Sequence, residues 1–337
     1  MGVHAPDRDG RGIAGAARDE LVRVIGASGA WDRDPVWREA FAAVPRHLFV
    51  PYYFTGGLGG LGGQECRWGG DPDPRARENW LRGAYADVPL ATLVRDGELL
   101  SSSSQPSLMA VMLAELEVAD GDRVLEVGTG TGYNAALLAH RLGDDDLVTT
   151  VDLDPEITES ARRHLAAAGH HPVVVTGDGA RGVPERAPYD RIIATCALSA
   201  VPRAWLAQCR PGARVLAPMA GGLLVLTVRD AGHAEGRFLS TPAYFVPLRG
   251  GGTAHPGEAP AEDAEPAGVP RRVRGHELFR FLLALCRGAL APAEAYTLWE
   301  RAGRPERRRY GVTVDDEGER AWLDDPRGPD AWPLPEP

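Results

Sequence analysis

Three glycines spaced two apart, Gly128, Gly130 and Gly132, follow an apolar run that carries Glu126 and precede an apolar-periodic stretch at 135–142. Glycines at a strand–helix turn remove Cβ atoms, so a ligand can lie against bare backbone. One βα unit later the apolar run 147–152 ends on a carboxylate, Asp152. In doubly wound folds an acid in that place accepts hydrogen bonds from a ribose. The chemistry suggested is the holding of a ribose-bearing cofactor. A nicotinamide site wants glycines at the first, third and sixth positions, but the sixth here is Tyr133. A phosphate-cradling P-loop needs a lysine, and the chain has none, which also removes lysine Schiff-base chemistry. The alternative for the same glycines is a tight turn that serves packing alone.

Composition narrows the classes further. A formal net charge of -10 argues against non-specific nucleic-acid binding, which depends on neutralising phosphates. No apolar run is long enough to span a membrane. The polar, glycine-rich start is unlike a signal peptide. Four scattered cysteines, without metal-ligand spacing, fit a reduced cytoplasmic compartment and argue against a metal site. His170 and His171 read as a solvated loop.

The elements that must position these residues alternate regularly from Gln105 onward. Helices are expected at 108–116, 135–142, 155–168 and 203–208, with a short one near Gly182. Strands are expected at 123–127, 148–151, 173–176, 191–195, 214–218, 223–228 and 243–247. This alternation argues for an α/β fold with a mostly parallel, doubly wound sheet covered on both faces. Before it, 1–34 reads as an N-terminal helical segment with a helix at 17–25, and a second helix is expected at 34–44. Residues 55–83 read as a glycine-rich inserted loop or flap, and 85–94 as extended. After the main domain at 35–248, residues 249–272 read as a linker. The rest, 273–337, reads as a small α+β extension with helices at 277–287 and 292–302 and a hairpin at 310–314 and 320–323.

Several blocks, in order, resemble protein-L-isoaspartate O-methyltransferases. They run from Ala40-Phe-Ala-Ala-Val-Pro-Arg-His-Leu-Phe-Val-Pro51 through Ala84-Tyr-Ala-Asp87 and Ser103-Ser-Gln-Pro106 to Leu125-Glu-Val-Gly-Thr-Gly-Thr-Gly-Tyr133. Gly177-Asp-Gly179, Ala187-Pro-Tyr-Asp190, Arg210-Pro-Gly212 and Tyr244-Phe-Val-Pro-Leu248 complete the match, which covers about 35–248. The resemblance implies a class I, Rossmann-like methyltransferase fold with S-adenosyl-L-methionine as cofactor. It implies an aspartyl or isoaspartyl carboxylate of a peptide or protein as acceptor. Two departures stand out: four serines, Ser101 to Ser104, where the family has a Thr-Ile-Ser type segment, and the extension beyond Leu248, expected to lack a counterpart in the repair enzymes. Both resemble a branch that methylates an ordinary aspartate in a cyclised, ribosomally made precursor, whose ester closes to an aspartimide.

The resemblance also distributes roles. The Gly128–Gly132 loop, with Thr129 and Tyr133, would face the methionine and ribose of the cofactor. Glu126 would bind the ammonium or orient the loop, and Asp152, next to Leu153, the ribose. Asp178, between Gly177 and Gly179, would sit near the adenine. Alternatives are a helix cap for Asp152 and an Asx turn for Asp178. Ser104, or Ser103 by a shift of register, would contact the acceptor carboxylate, the alternative being an N-cap for the helix after Pro106. Methyl transfer to a carboxylate needs no general base, because the acceptor is already ionised at neutral pH. The clusters Arg271, Arg272, Arg274 and Arg307 to Arg309 read as solvated surface or as an attraction for an acidic peptide. A non-catalytic cofactor-binding module and a small-molecule methyltransferase are the other readings.

Overall fold

The computed structural model describes residues 8–56, 65–250 and 267–334. The start of the N-terminal segment, the core of the glycine-rich stretch at 57–64, most of the expected linker (251–266) and residues 335–337 lie outside the described residues.

Helices α1 (Arg8–Ala27), α2 (Ala30–Arg33) and α3 (Val36–Ala43) form an N-terminal pack, with Trp37 and Phe41 of α3 fully buried. A four-stranded antiparallel sheet follows, made of β1 (Tyr52–Thr55), β2 (Glu65–Trp68), β3 (Leu90–Arg95) and β4 (Glu98–Ser103) in the order β2-β1-β3-β4. Helix α4 (Pro74–Ala84) packs beside it. The reading of 55–83 as an inserted loop therefore fails over its second half. The start signal of α4 was present: Asp73 Oδ1 accepts from the Arg75 N–H at 3.0 Å, with Pro74 at the first turn. The face of α4 that buries Leu81 and Ala84 is narrow and interrupted by charges, so its period is faint.

The larger sheet has ten strands in the order β14-β13-β12-β11-β10-β9-β8-β5-β6-β7. Its site-bearing half is parallel: β5 (Val124–Val127), β6 (Val148–Asp152), β7 (Val173–Thr176), β8 (Tyr189–Ala194) and the start of β9 (Cys209–Met219). Helices α5 (Pro106–Leu116), α6 (Tyr133–Leu142), α7 (Pro155–Ala167) and α8 (Arg203–Ala207) accompany these strands in an α/β arrangement. All four residues of β5 are buried, as expected for a central parallel strand covered on both faces.

Beyond β9 the sheet turns antiparallel through β10 (Gly222–Asp230) and β11 (His233–Pro242). The strand expected at 243–247 is absent, and β11 takes its place in the sheet. Its sequence alternates poorly and contains Gly236, where a Cβ would stand 1.8 Å from the Val225 carbonyl oxygen. Residues 243–247 instead run beside Ala197 through a single bridge.

The segment read as an extension continues this sheet. Helices α9 (Arg271–Arg274), α10 (Glu277–Leu285) and α11 (Pro292–Arg301) lead into β12 (Tyr310–Asp315), β13 (Gly318–Leu323) and β14 (Ala331–Pro333). Strand β12 pairs with β11 from Ala234↔Val314 to Arg237↔Gly311. Phe238 of β11, Phe281 of α10 and Tyr310 of β12 stack edge to face in one core. Arg307 is buried over the Phe281 ring and pairs with Glu277 at 2.7 Å, while Arg309 pairs with Asp324. These arginines therefore serve packing and local ion pairs.

The shared core gives a prediction. A chain truncated after Gly250 would bare the β11 edge and Phe238, and should lose cooperative thermal unfolding by circular dichroism. An unchanged melting transition would show that the C-terminal region is dispensable.

Candidate functional site

The three glycines leave β5 in left-handed conformations that other residues rarely adopt. Gly128 has φ 98° and Gly132 has φ 86°. A Cβ on Gly128 would stand 2.6 Å from Thr195 Oγ1, and one on Gly132 3.2 Å from Leu165. Thr195 donates to the Gly128 carbonyl at 2.7 Å and so pins the loop from β8's end. Gly132 caps α6 and packs on α7, so its part is structural.

Glu126 is fully buried at 0% exposure. Its Oε1 accepts from Asn134 Nδ2 at 2.8 Å and its Oε2 from Thr150 Oγ1 at 2.6 Å. Because Thr150 gives its proton to Glu126, the 2.8 Å contact with Thr129 must run from Thr129 to Thr150. This relay ties the glycine loop to β6. Burial pushes the Glu126 carboxyl up to about 7 against these two hydrogen bonds. The outer oxygen of Asn134, Oδ1, is buried without a protein partner. A cation beside Glu126 and Asn134 would meet both needs at once.

Asp152 ends β6 at 8% exposure. Its Oδ2 accepts the Gly130 N–H at 3.2 Å, and its Oδ1 accepts from Asp154 N and from Arg249 Nη2, each at 3.4 Å. Burial raises its pKa more than these contacts lower it. The helix-cap alternative for Asp152 falls, because Asp154 caps α7 by accepting from Glu156 N at 2.8 Å. Leu153 follows with 41% of its surface exposed, an apolar wall beside the carboxylate. Asp178 makes the Asx-type turn, Oδ1 accepting from Ala180 N at 3.0 Å. Gly177 donates to the Asp152 carbonyl at 2.9 Å.

The serine run forms the opposite wall. Ser101 and Ser103 point inward from β4 and are buried, the former accepting from Thr92 at 3.1 Å. The Ser103 hydroxyl is taken by the buried guanidinium of Arg46, at 3.3 Å from Nη2. Arg46 also donates to the carbonyls of Ala84, Ala86, Val88, Ser103 and Ser104 at 2.8–3.4 Å. Burial lowers its pKa to about 10, so it stays charged at neutral pH. Asp87 fixes the next step, its Oδ1 accepting the Ser107 N–H at 2.8 Å and its Oδ2 accepting from Gln105 Nε2. The helix N-cap here is Gln105, not Ser104. Ser104 is thus held by its backbone while it lines the cleft.

These walls enclose a cleft of about 690 Å³. Glu126, Gly128, Thr129, Gly130, Tyr133, Asp152, Leu153, Gly179, Ser103 and Ser104 line it, whereas Gly132, Gly177 and Asp178 are not among its lining residues. Tyr133 is buried with its hydroxyl lacking a protein partner, and burial pushes that phenol well above its usual range. Sequence reasoning missed the roles of Arg46, Asn134, Thr150 and Arg249. The Val44-Pro-Arg46 block was visible as a motif, but a contact from Arg46 to Ser103 spans 57 positions and leaves no local signal. Among the described residues no helix is long and apolar enough to cross a membrane.

Comparison with known proteins adds independent findings. The profile of the protein-L-isoaspartate(D-aspartate) O-methyltransferase family matches residues 75–251. A relative from Anaeromyxobacter sp. (strain Fw109-5), named protein-L-isoaspartate O-methyltransferase 1, is 38% identical over 238 residues, 68% of this chain and 95% of the relative. A solved structure named protein-L-isoaspartate O-methyltransferase superposes with a TM-score of 0.62 at 24% identity, over 91% of this chain and 100% of its own. A second, from Plasmodium falciparum and in complex with S-adenosyl-L-homocysteine, gives a TM-score of 0.51 at 14% identity, over 68% of this chain and 97% of its own. Residues 1–248 make up less than three quarters of this chain. The first overlap must therefore reach the C-terminal region, which corrects the expectation that this region has no counterpart.

Glu126 supplies a pH test. Its folded pKa of about 7 lies above the ordinary 4.5, so the folded protein holds the extra proton between those values. Stability from this group is present below pH about 4.5 and is lost as pH rises through about 7. Glu126→Gln should therefore gain on wild type by up to about 3 kcal/mol between pH 5 and pH 8 in urea unfolding without ligand. A variant that loses ground at pH 8 would contradict the assignment.

Proposed function

This chain belongs to the protein-L-isoaspartate(D-aspartate) O-methyltransferase family, and we propose that its acceptor is an aspartyl side chain in a dedicated, ribosomally made peptide. The enzyme is an S-adenosyl-L-methionine-dependent methyltransferase. The observation that carries the site reading is the meeting of glycine loop, buried carboxylates and serine wall around one cleft.

The residues present fit the cofactor. Glu126 and the unpartnered Asn134 Oδ1 suit its ammonium, Asp152 its ribose hydroxyls, and Leu153 and Gly179 the faces of its adenine. A cation at Glu126 would draw that carboxyl back below 7 and hold it ionised. When bound, the cofactor supplies an electrophilic methyl group on a sulfonium. With that group in place, the acceptor carboxylate oxygen would take the methyl carbon and the carbon–sulfur electron pair would stay on sulfur. No proton moves. The cleft is built accordingly: the Cys196 thiol on its wall is pushed up to about 12 and the Tyr133 phenol higher still, so neither ionises near neutrality. The protein's task is to align the acceptor and to exclude water. Ser104 would donate to the acceptor carboxylate or its flanking peptide and set the angle of attack. The resulting methyl ester activates the side chain, and the next backbone amide nitrogen closes a succinimide with loss of methanol.

The support for a dedicated peptide is the four-serine wall, Ser101 to Ser104, in place of the more usual Thr-Ile-Ser type segment. The C-terminal region no longer argues for it. A second reading, repair of L-isoaspartyl residues in damaged proteins, is favoured by a solved relative of that name whose overlap includes that region. The pairing of Arg307 and Arg309 with packing partners also takes these two from the surface argument for an acidic, cyclised precursor.

Incubation with radiolabelled donor and two acceptors separates the readings. A cyclised aspartyl precursor should release labelled methanol on base treatment, and an L-isoaspartyl test peptide should release little. The reverse pattern assigns repair. On whichever acceptor works, Ser104→Ala should lower kcat/KM by about 100-fold while calorimetry with S-adenosylhomocysteine stays within about twofold. Equal loss of turnover and cofactor affinity would remove Ser104 from the acceptor side.

A further inference from the structure

Among the described residues lining the cleft, Arg249 is the one cation. Its guanidinium lies 3.4 Å from Asp152 Oδ1, on the carboxylate that the functional reading gives to the ribose. The backbone that delivers it is fixed: Ala197 N donates to the Val246 carbonyl at 2.8 Å, and Leu248 N to the Ala197 carbonyl at 2.9 Å. The Arg249 side chain itself is 33% exposed and free of that constraint.

A carboxylate offers about four lone-pair directions. The N–H groups of Gly130 and Asp154 already take two on Asp152, and Arg249 takes a third. Two ribose hydroxyls would raise the demand to five. The Gly130 and Asp154 N–H groups belong to the glycine loop and to the turn into α7, and cannot leave without unmaking the site. The guanidinium can swing into solvent. An Asp152 left without either partner would be a buried, uncompensated carboxylate, and its pKa is already raised by burial.

We propose that Arg249 is a placeholder for the cofactor's ribose: it pairs with Asp152 before the cofactor binds and is displaced when the ribose diol arrives. This rests on the assignment of Asp152 to the ribose. Cofactor affinity then contains the cost of breaking an ion pair, which is a positioning role that nothing in the glycine motif encodes. The cost should fall as salt screens the pair.

Calorimetric titration of the full chain with S-adenosylhomocysteine tests it, using wild type, Arg249→Gln and Arg249→Lys at low salt and at about 1 M salt. Arg249→Gln should bind about fivefold more tightly than wild type at low salt, the scale of one partly exposed ion pair. The gap should close at high salt, and Arg249→Lys should keep the wild-type affinity and salt response. Methylthioadenosine, which has the ribose but no amino-acid tail, should show the same gain. Weaker binding by Arg249→Gln would make the guanidinium a cofactor ligand and overturn the proposal. Equal binding by wild type and Arg249→Gln, or a gain unmoved by salt, would overturn it equally. Failure of wild type to bind either compound would overturn the functional reading as well.

Discussion

A buried cation that forms no ion pair among the described residues organises the acceptor half of this protein. Arg46 is 0% exposed and is solvated by five main-chain carbonyls and the Ser103 hydroxyl. An arginine has five N–H donors in a rigid fork, and here the fork reads the path of three separate stretches of backbone. Its donors tie together the end of α4, the loop into β3 and the end of β4. Any of these carbonyls left buried and unsatisfied without the guanidinium would cost about 1–3 kcal/mol. The serine wall is where it is because Arg46 holds it there.

The donor half uses the opposite device, carboxylates buried under tension. Glu126 and Asp152 both have pKa values raised by burial, and each is held by groups of the same glycine loop or strand β6. Buried without a cationic or hydroxyl partner of a ligand, these acids are costly. A ligand carrying an ammonium near Glu126 and hydroxyls near Asp152 relieves both, so binding energy is prepared in advance by the fold. The acceptor half needs no titrating group because its substrate is already an anion. The two halves meet where Ser102 O lies 3.4 Å from the position of a Cβ on Gly130. A Cβ would fit at that distance, so it is the left-handed φ of 50° that favours glycine there.

Much of this was legible in the chain. The run from Leu125 to Tyr133 announced strand, turn and helix, because buried parallel strands read as unbroken apolar runs and glycines mark the turn. Asp152 was legible through its distance from that turn. What escaped notice lacked local pattern. Strand β11 pairs on both edges, yet its Ala-Glu-Gly-Arg order gives no alternation. Helix α4 buries only Leu81 and Ala84 in eleven charge-rich residues. Arg46 and Arg249 act across 57 and 97 positions, and only the tertiary fold brings them to Ser103 and Asp152. The C-terminal helices and hairpin looked separable because a Pro- and Gly-rich stretch precedes them, while their pairing with β11 depends on an edge that was not foreseen.

The most direct test of this division of labour is Arg46→Lys, measured for both halves in one preparation. A lysine keeps the charge but offers three donors to six acceptors, so the serine wall should slacken while the glycine loop stays intact. The account predicts that kcat/KM for methyl transfer falls by about 100-fold while the affinity for S-adenosylhomocysteine stays within about threefold. Wild-type turnover in this variant, or a loss of cofactor affinity as large as the loss of turnover, would contradict it.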